Sequence, residues 1–212
     1  MALTTNLFPP AQPPGFRHLG ALLPIEAQIE LLKTIQLIAK KAPFTTARTK
    51  SGGVYSAEMT NCGDVGWWSD QRGYYYSRNQ PSTNAPWPPM PDEFITTLDN
   101  ILTGTDFANF LPDACLINRY SKGAKMGLHQ DRDEADLSHP IVTLCLGAAA
   151  DFQIGGLKRS DKANIIVVQS GDALIMSGAS RLCFHGVRKI YPGTSPLEGL
   201  AERISLTFRK AL

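Results

Sequence analysis

A chain of 212 residues is long enough for one domain with a sizeable core, and 43% hydrophobic with 19% charged residues suits a globular protein rather than a disordered one. A net charge of +2 does not mark a bulk-charge nucleic-acid binder and leaves room only for a local basic patch. The cysteines Cys62, Cys115, Cys145 and Cys183 form no C-x-x-C pair, which argues against an all-cysteine metal site and for reduced thiols.

Residues 1–15, with Pro9, Pro10, Pro13 and Pro14, read as an irregular segment, and 16–212 as a single domain. Residues 24–41 predict an amphipathic helix. Ile25, Ile29, Leu32, Ile35 and Ile38 recur at helical spacing, Lys40 and Lys41 suit its C-terminal end, and Pro43 stops it. From 49 to 91 the chain turns to glycine, proline and aromatic clusters (Trp67-Trp68, Tyr74-Tyr75-Tyr76), the texture of short hairpins and ordered loops. A second helix is predicted over 92–103, with Phe94, Ile95, Leu98, Ile101 and Leu102 as its stripe.

After Pro112 the pattern is that of strands. Ala114–Tyr120 alternates, with Asn118 and Tyr120 on one face. Ile141–Leu146 is a continuous apolar run, as in a strand covered on both sides. Ile165–Val168 and Ala173–Met176 flank the turn signal Gln169–Asp172 and predict a hairpin. Ser180–Val187 and Arg203–Arg209 complete the series. The whole predicts an α+β, mainly β chain: a double-stranded β-helix, or jelly roll, over about 113–212, with early helices packed outside it. No apolar run has membrane length, and no basic start precedes an apolar stretch, so the expected setting is the cytoplasm, with no membrane contact.

His129-Gln130-Asp131 is the candidate metal site. In an extended segment His129 and Asp131 share a face while Gln130 points away, and His185 would arrive from a distant strand. Two imidazoles and a carboxylate are the ligand set of a non-haem Fe(II) oxygenase, with three positions left open. A zinc site that uses Cys183 is the competing reading, and a simple His–Asp pair is the structural one. His18 and His139 are expected at the surface.

Arg203, Ser205, Thr207 and Arg209 share one face of the last strand, and Ile204, Leu206 and Phe208 share the other. The polar face is suited to a carboxylate, because guanidinium forks bind carboxylates bidentately. The two arginines lie about 20 Å apart along a strand at ~3.3 Å per residue, so they would approach opposite ends of one dicarboxylate. Asn118 and Tyr120 offer an amide and a phenol to the same cavity. The alternative is a solvated arginine face paired with carboxylates.

The runs Met59–Gly63, Asp113–Tyr120, Gly123–Lys125, Leu128–Asp131, Phe152–Arg159 and Leu206–Arg209 together resemble the bacterial AlkB family. The resemblance extends from about residue 44 to 209. It implies an Fe(II)- and 2-oxoglutarate-dependent dioxygenase that uses O2 to demethylate N-alkylated bases of the 1-methyladenine and 3-methylcytosine type in single-stranded DNA or RNA. Succinate, CO2 and formaldehyde would be released, and the cellular role would be repair of alkylation damage. It further implies that His129, Asp131 and His185 bind iron, and that Asn118, Tyr120, Arg203, Ser205 and Arg209 bind 2-oxoglutarate. Arg209 would hold the carboxylate far from the metal and Arg203 the near one.

By the same resemblance Trp67, Tyr74, Lys125, Gln130, Arg132, Asp133 and Arg159 touch nucleic acid. Trp67 would stack on the base and Asp133 would face its exocyclic amino group. The stretch 44–91 would act as a nucleotide-recognition lid, although Trp68 and Tyr75 read better as core. Ser205, Gly127 and Met176 depart from the residues of the best-known member (Asn, Ser and Trp). No obligate protein partner is expected, and a monomer is. The competing functions are a 2-oxoglutarate oxygenase of proteins or small molecules and a non-enzymatic reader of modified nucleic acid. The dicarboxylate clamp argues against the reader.

Overall fold

The computed structural model describes residues 12–212, so the irregular segment expected over 1–15 lies outside the described residues for all but its last four positions. In chain order the elements begin with β1 (Phe16–Leu19), α1 (Ile25–Lys41), β2 (Glu58–Gly63), β3 (Gly66–Asp70), β4 (Gly73–Ser77) and α2 (Asp92–Leu102). There follow β5 (Ala114–Tyr120), β6 (Met126–His129), β7 (Ile141–Gly147), β8 (Ala149–Ile154) and β9 (Asn164–Val168). The last are β10 (Ala173–Met176), β11 (His185–Tyr191) and β12 (Arg203–Arg209).

Both helices start behind proline, at Pro24 and Pro91, with acidic residues in the first turn. This placement suits the positive end of the helix dipole. In α1, Lys40 and Lys41 suit the other end. The buried residues of each helix recur at helical spacing, so each helix has one face to bury.

Three antiparallel sheets are formed. The largest has the order β1-β10-β7-β12-β5-β2, the second β6-β11-β8-β9, and the third is the hairpin β3-β4. Strand alternation divides the core in two. Ile204, Leu206 and Phe208 of β12 join Val142, Leu144 and Leu146 of β7, Leu31 and Ile35 of α1, and Phe94 and Leu98 of α2. The opposite face of the large sheet contributes Ile141, Cys145, Leu174 and Met176. These meet Phe152, Ile154, Val168 and Val187 of the second sheet. A mainly β chain with two stacked antiparallel sheets is consistent with a jelly roll.

The structure corrects two expectations. Residues 165–168 and 173–176 do not pair as a hairpin: β9 joins β8, whereas β10 lies between β1 and β7. The turn at 169–172 is real, with Gly171 at φ +86° and Asp172 accepting from the Gln169 N–H, but it carries the chain from one sheet to the other. The strand expected over 180–187 begins only at His185, because Gly178–Ser180 is a short 3-10 turn. Within the stretch 44–91, residues 58–63 are the edge strand β2 of the large sheet, and β3–β4 stands apart. Among the described residues no helix is long and apolar enough to cross a membrane.

Candidate active site

The strand ends bring the three metal-ligating residues together. His129 closes β6, His185 opens β11, and the two are register partners in an antiparallel pair. Cross-strand partners project to the same face, so the imidazoles lie side by side with centroids 4.4 Å apart. Gly186 permits this approach, since a Cβ there would come within 2.5 Å of the Met126 carbonyl.

Each imidazole bonds a backbone carbonyl two residues earlier. His129 Nδ1 lies 2.9 Å from Gly127 O, and His185 Nδ1 lies 3.1 Å from Cys183 O. A carbonyl can only accept, so each Nδ1 carries a proton and Nε2 is the nitrogen left facing the centre, the orientation a metal ligand requires.

Asp131 lies two residues beyond the end of β6. Its Oδ1 is 3.6 Å from His129 Nε2, and its Oδ2 is 3.7 Å from His185 Nε2. These separations are too long for hydrogen bonds. All three donor atoms lie within 4.8 Å of one another, grouped closely enough to hold a metal ion. Burial would raise the Asp131 carboxyl. The charge of Arg209 beside it outweighs burial and holds the group well below the usual carboxylate range. Burial, and then His129, push His185 down to about 4, so it is neutral at neutral pH.

Strand β12 faces this centre with its polar side. Its register sets Arg203 opposite Tyr120 and Ser205 opposite Asn118. Arg203 and Arg209 are 1% and 5% exposed, yet Nε and Nη1 of both have no hydrogen-bond partner among the described residues, nor has Asn118 Oδ1. Arg203 donates only from Nη2, to Cys145 Sγ at 2.9 Å. Arg209 Nη2 donates to Asp131 Oδ2 at 2.7 Å, and its Nε lies 3.4 Å from Glu134 Oε1 without forming a hydrogen bond. Buried guanidinium N–H groups without acceptors are costly, and their convergence on one cavity fits an anion with several oxygens.

The expected order of the two arginines is therefore reversed. Arg209 is the one beside the triad, and Arg203 lies farther along the strand. Spacing along a strand fixes the distance between two side chains but not which end faces the metal.

The cavity has a volume of about 440 Å³ and lies between the two larger sheets. Every residue named above for iron, 2-oxoglutarate or nucleic acid lines it except Lys125, which is exposed and joined to Ser56 through its main chain, and Cys183 of the competing zinc reading is not in the lining. At its mouth Trp67 stacks on Tyr74 at 5.8 Å and donates from Nε1 to Asp133 Oδ2 at 3.1 Å. Arg159 lies over the Phe184 ring and donates to Leu128 O at 2.6 Å. Gln130 does not point away, as its place in the triplet suggests. Its Nε2 donates to Leu182 O at 2.6 Å.

Tyr55, Thr143, Arg181 and Glu134, none of them foreseen, also meet here. Tyr55 packs edge-on against Trp67 in the same lining, and the hydroxyls of Thr143 and Thr207 lie 3.5 Å apart. Behind the triad, buried Arg181 pairs with buried Glu134 at 3.0 Å. Thr207 was legible from its face of β12. The pairing of Arg181 with Glu134 was not, since nothing local in either segment signals the other.

Comparison with known proteins gives a consistent result. The 2OG-Fe(II) oxygenase superfamily model matches residues 15–209. The alpha-ketoglutarate-dependent dioxygenase AlkB of Escherichia coli is 44% identical over 86% of this chain and 84% of its own length. An AlkB homolog of Caulobacter vibrioides is 43% identical over 93% and 88%. Among solved structures, OsALKBH1 superposes with a TM-score of 0.78 at 31% identity, covering 94% of this chain and 98% of its own.

Proposed function

The chain belongs to the AlkB family of 2-oxoglutarate- and Fe(II)-dependent dioxygenases, and from that membership and the cavity just described we propose that it demethylates N-alkylated bases in single-stranded DNA or RNA. Oxidative demethylation of alkylated nucleic acid in DNA repair is the activity of this enzyme. Its finer substrate, of the 1-methyladenine and 3-methylcytosine type, and the roles of individual residues are our reading. The observation that carries it is the set of unpartnered guanidinium N–H groups facing a His-Asp-His centre.

His129, Asp131 and His185 would hold Fe(II). The donor set fits it, with two imidazoles that turn Nε2 to the centre, one ionised carboxylate and an open side. When bound, Fe(II) with 2-oxoglutarate and O2 supplies the oxidation of the N-alkyl carbon, with succinate, CO2 and formaldehyde as products.

The chain's own residues position and select. Arg209, next to Asp131, would bind the co-substrate carboxylate near the centre, and Arg203 the remote one. Tyr120, raised to about 12 by burial, keeps its proton and can donate to that remote end, beside Ser205 and Asn118. A base within a duplex cannot reach a centre between two sheets, so it must be flipped out or come from a single strand. Trp67 and Tyr74 on the β3–β4 hairpin would stack on it as a lid, and Asp133 would accept from its exocyclic amino group. Arg132 and Arg159, at the rim, would meet phosphates.

The test is anaerobic loading with Fe(II) and 2-oxoglutarate, after which O2 is admitted with a panel of methylated single-stranded oligonucleotides. Formaldehyde and succinate should form in equal amounts, and His129→Ala should form neither. Succinate without repair of any base would move the substrate to proteins or small molecules.

A further inference from the structure

The ladder between β6 and β11 ends at the pair His129–His185, so main-chain pairing does not reach Asp131. Two side chains continue it. Gln130 Nε2 donates to the Leu182 carbonyl at 2.6 Å, and Arg181 Nη1 donates to the Asp131 carbonyl at 2.6 Å. These bonds run in opposite directions between neighbouring segments, as the exchanged main-chain bonds of an antiparallel pair do.

Arg181 is held firmly. It is 3% exposed, donates from Nε to His139 O at 3.0 Å, and donates from Nη2 to Glu134 Oε2 at 3.0 Å. One guanidinium thus fixes both ends of the loop that follows Asp131, from a position four residues before His185. Glu134 also accepts from the Tyr76 hydroxyl at 2.7 Å. Arg181 is absent from the cavity lining, so it acts on the centre only through other residues.

We propose that Gln130 and Arg181 are positioning residues that prolong the β6–β11 pairing with side-chain bonds and thereby fix Asp131 against His185. Without Arg181 the one hydrogen bond that still reaches Asp131 among the described residues is that of Arg209, which grips the carboxylate itself at 2.7 Å. The main chain of Asp131 would then be free to follow that guanidinium, and the three donor atoms would lose their common focus. The inference rests on reading the triad as the metal centre. Gln130 is in this view a support of the metal site rather than a nucleic-acid contact.

Co(II) titration of the metal-free protein, followed by visible absorption, tests this without turnover. His129→Ala should lose the ligand-field bands. Gln130→Leu should weaken Co(II) binding about tenfold and Arg181→Lys by roughly 10–100-fold, the range for outer-shell partners, each with shifted bands. Metal-free Gln130→Leu should melt as the wild type does, which separates positioning from a general loss of stability. Should Arg181→Lys not fold, Gln130→Leu decides alone. Wild-type Co(II) affinity and spectrum in Gln130→Leu, with a raised KM for a methylated oligonucleotide, would overturn the inference and place Gln130 on the substrate. A wild-type spectrum in His129→Ala would overturn it differently, by removing the centre on which it rests.

Discussion

Asp172, at the end of the turn that enters the large sheet, and Arg203, within that sheet, are both buried polar residues, at 4% and 1% exposure, and they differ in what surrounds their polar atoms. Asp172, in the turn before β10, accepts from His18 Nε2, the Ala21 N–H and the Gln169 N–H, each at 2.8 Å. Arg203, on β12, has two nitrogens with no partner among the described residues. A buried polar group whose bonds are all made within the chain is part of the fold. One whose bonds are left open inside a cavity is waiting for a ligand. The same sheet therefore carries a closed polar cluster beyond one end of β10 and an open one along β12.

Breaking the closed cluster should have the largest effect on stability. Asp172→Ala leaves three donors without their acceptor, and at roughly 1–3 kcal/mol for each donor that stays buried the loss should be on the order of 2–4 kcal/mol. Urea unfolding measures it. The KM for 2-oxoglutarate should not move, and a raised KM would mean that the two clusters are coupled.

Arg203→Met should do the opposite. An unpartnered buried guanidinium contributes little to stability, and an apolar side chain of similar length removes its desolvation cost. Stability should stay within about 1 kcal/mol of wild type or rise, as for functional residues that carry strain. The lost charge-assisted bond, about 1.5–3 kcal/mol, should raise the KM for 2-oxoglutarate by about 10–100-fold. A destabilised variant with normal KM would make Arg203 a structural residue like Asp172.

The contrast between these clusters also marks what could be read from the chain alone. Period-two alternation in Arg203–Arg209 exposed the polar face of β12, because each side chain's face follows from its place in the sequence. The triplet His129-Gln130-Asp131 with His185 revealed the centre, because the chemistry of the donors is written in their identity. What failed was long-range. His18, expected at the surface, holds Asp172 across 154 positions. The turn at 169–172 was recognised by its residues, but its strands pair with partners that no local signal names. The order of Arg203 and Arg209 relative to the metal required knowing where β6 and β11 lie over β12.

The hairpin β3–β4 falls between the two cases, since Trp67 is half-buried, stacked on Tyr74 and bonded to Asp133, yet lines the cavity. Trp67→Ala should weaken binding of a methylated single-stranded oligonucleotide by about 1–3 kcal/mol, the value of one stacked base. Fluorescence anisotropy at fixed salt would measure it. Unchanged binding would assign Trp67 to the closed class.

The smallest effect should appear in acid. Burial alone would raise the Asp172 carboxyl, but the hydrogen bond from His18, followed by those from the Gln169 and Ala21 N–H groups, outweighs burial and holds it below its ordinary 3.8. As the pH falls, the unfolded chain therefore takes up a proton at this position before the folded chain does. The stabilisation from the ionised group is fully present above 3.8 and drains away as the pH falls through the lower folded value. Asp172→Asn has no carboxyl to titrate. The stability gap between wild type and Asp172→Asn should be widest above about pH 5 and narrow below about pH 4, with a slope of at most about 1.4 kcal/mol per pH unit. A gap that stays constant to about pH 2 would mean that the three donors hold the protonated acid as well as the carboxylate, and that the closed cluster is one of shape rather than charge.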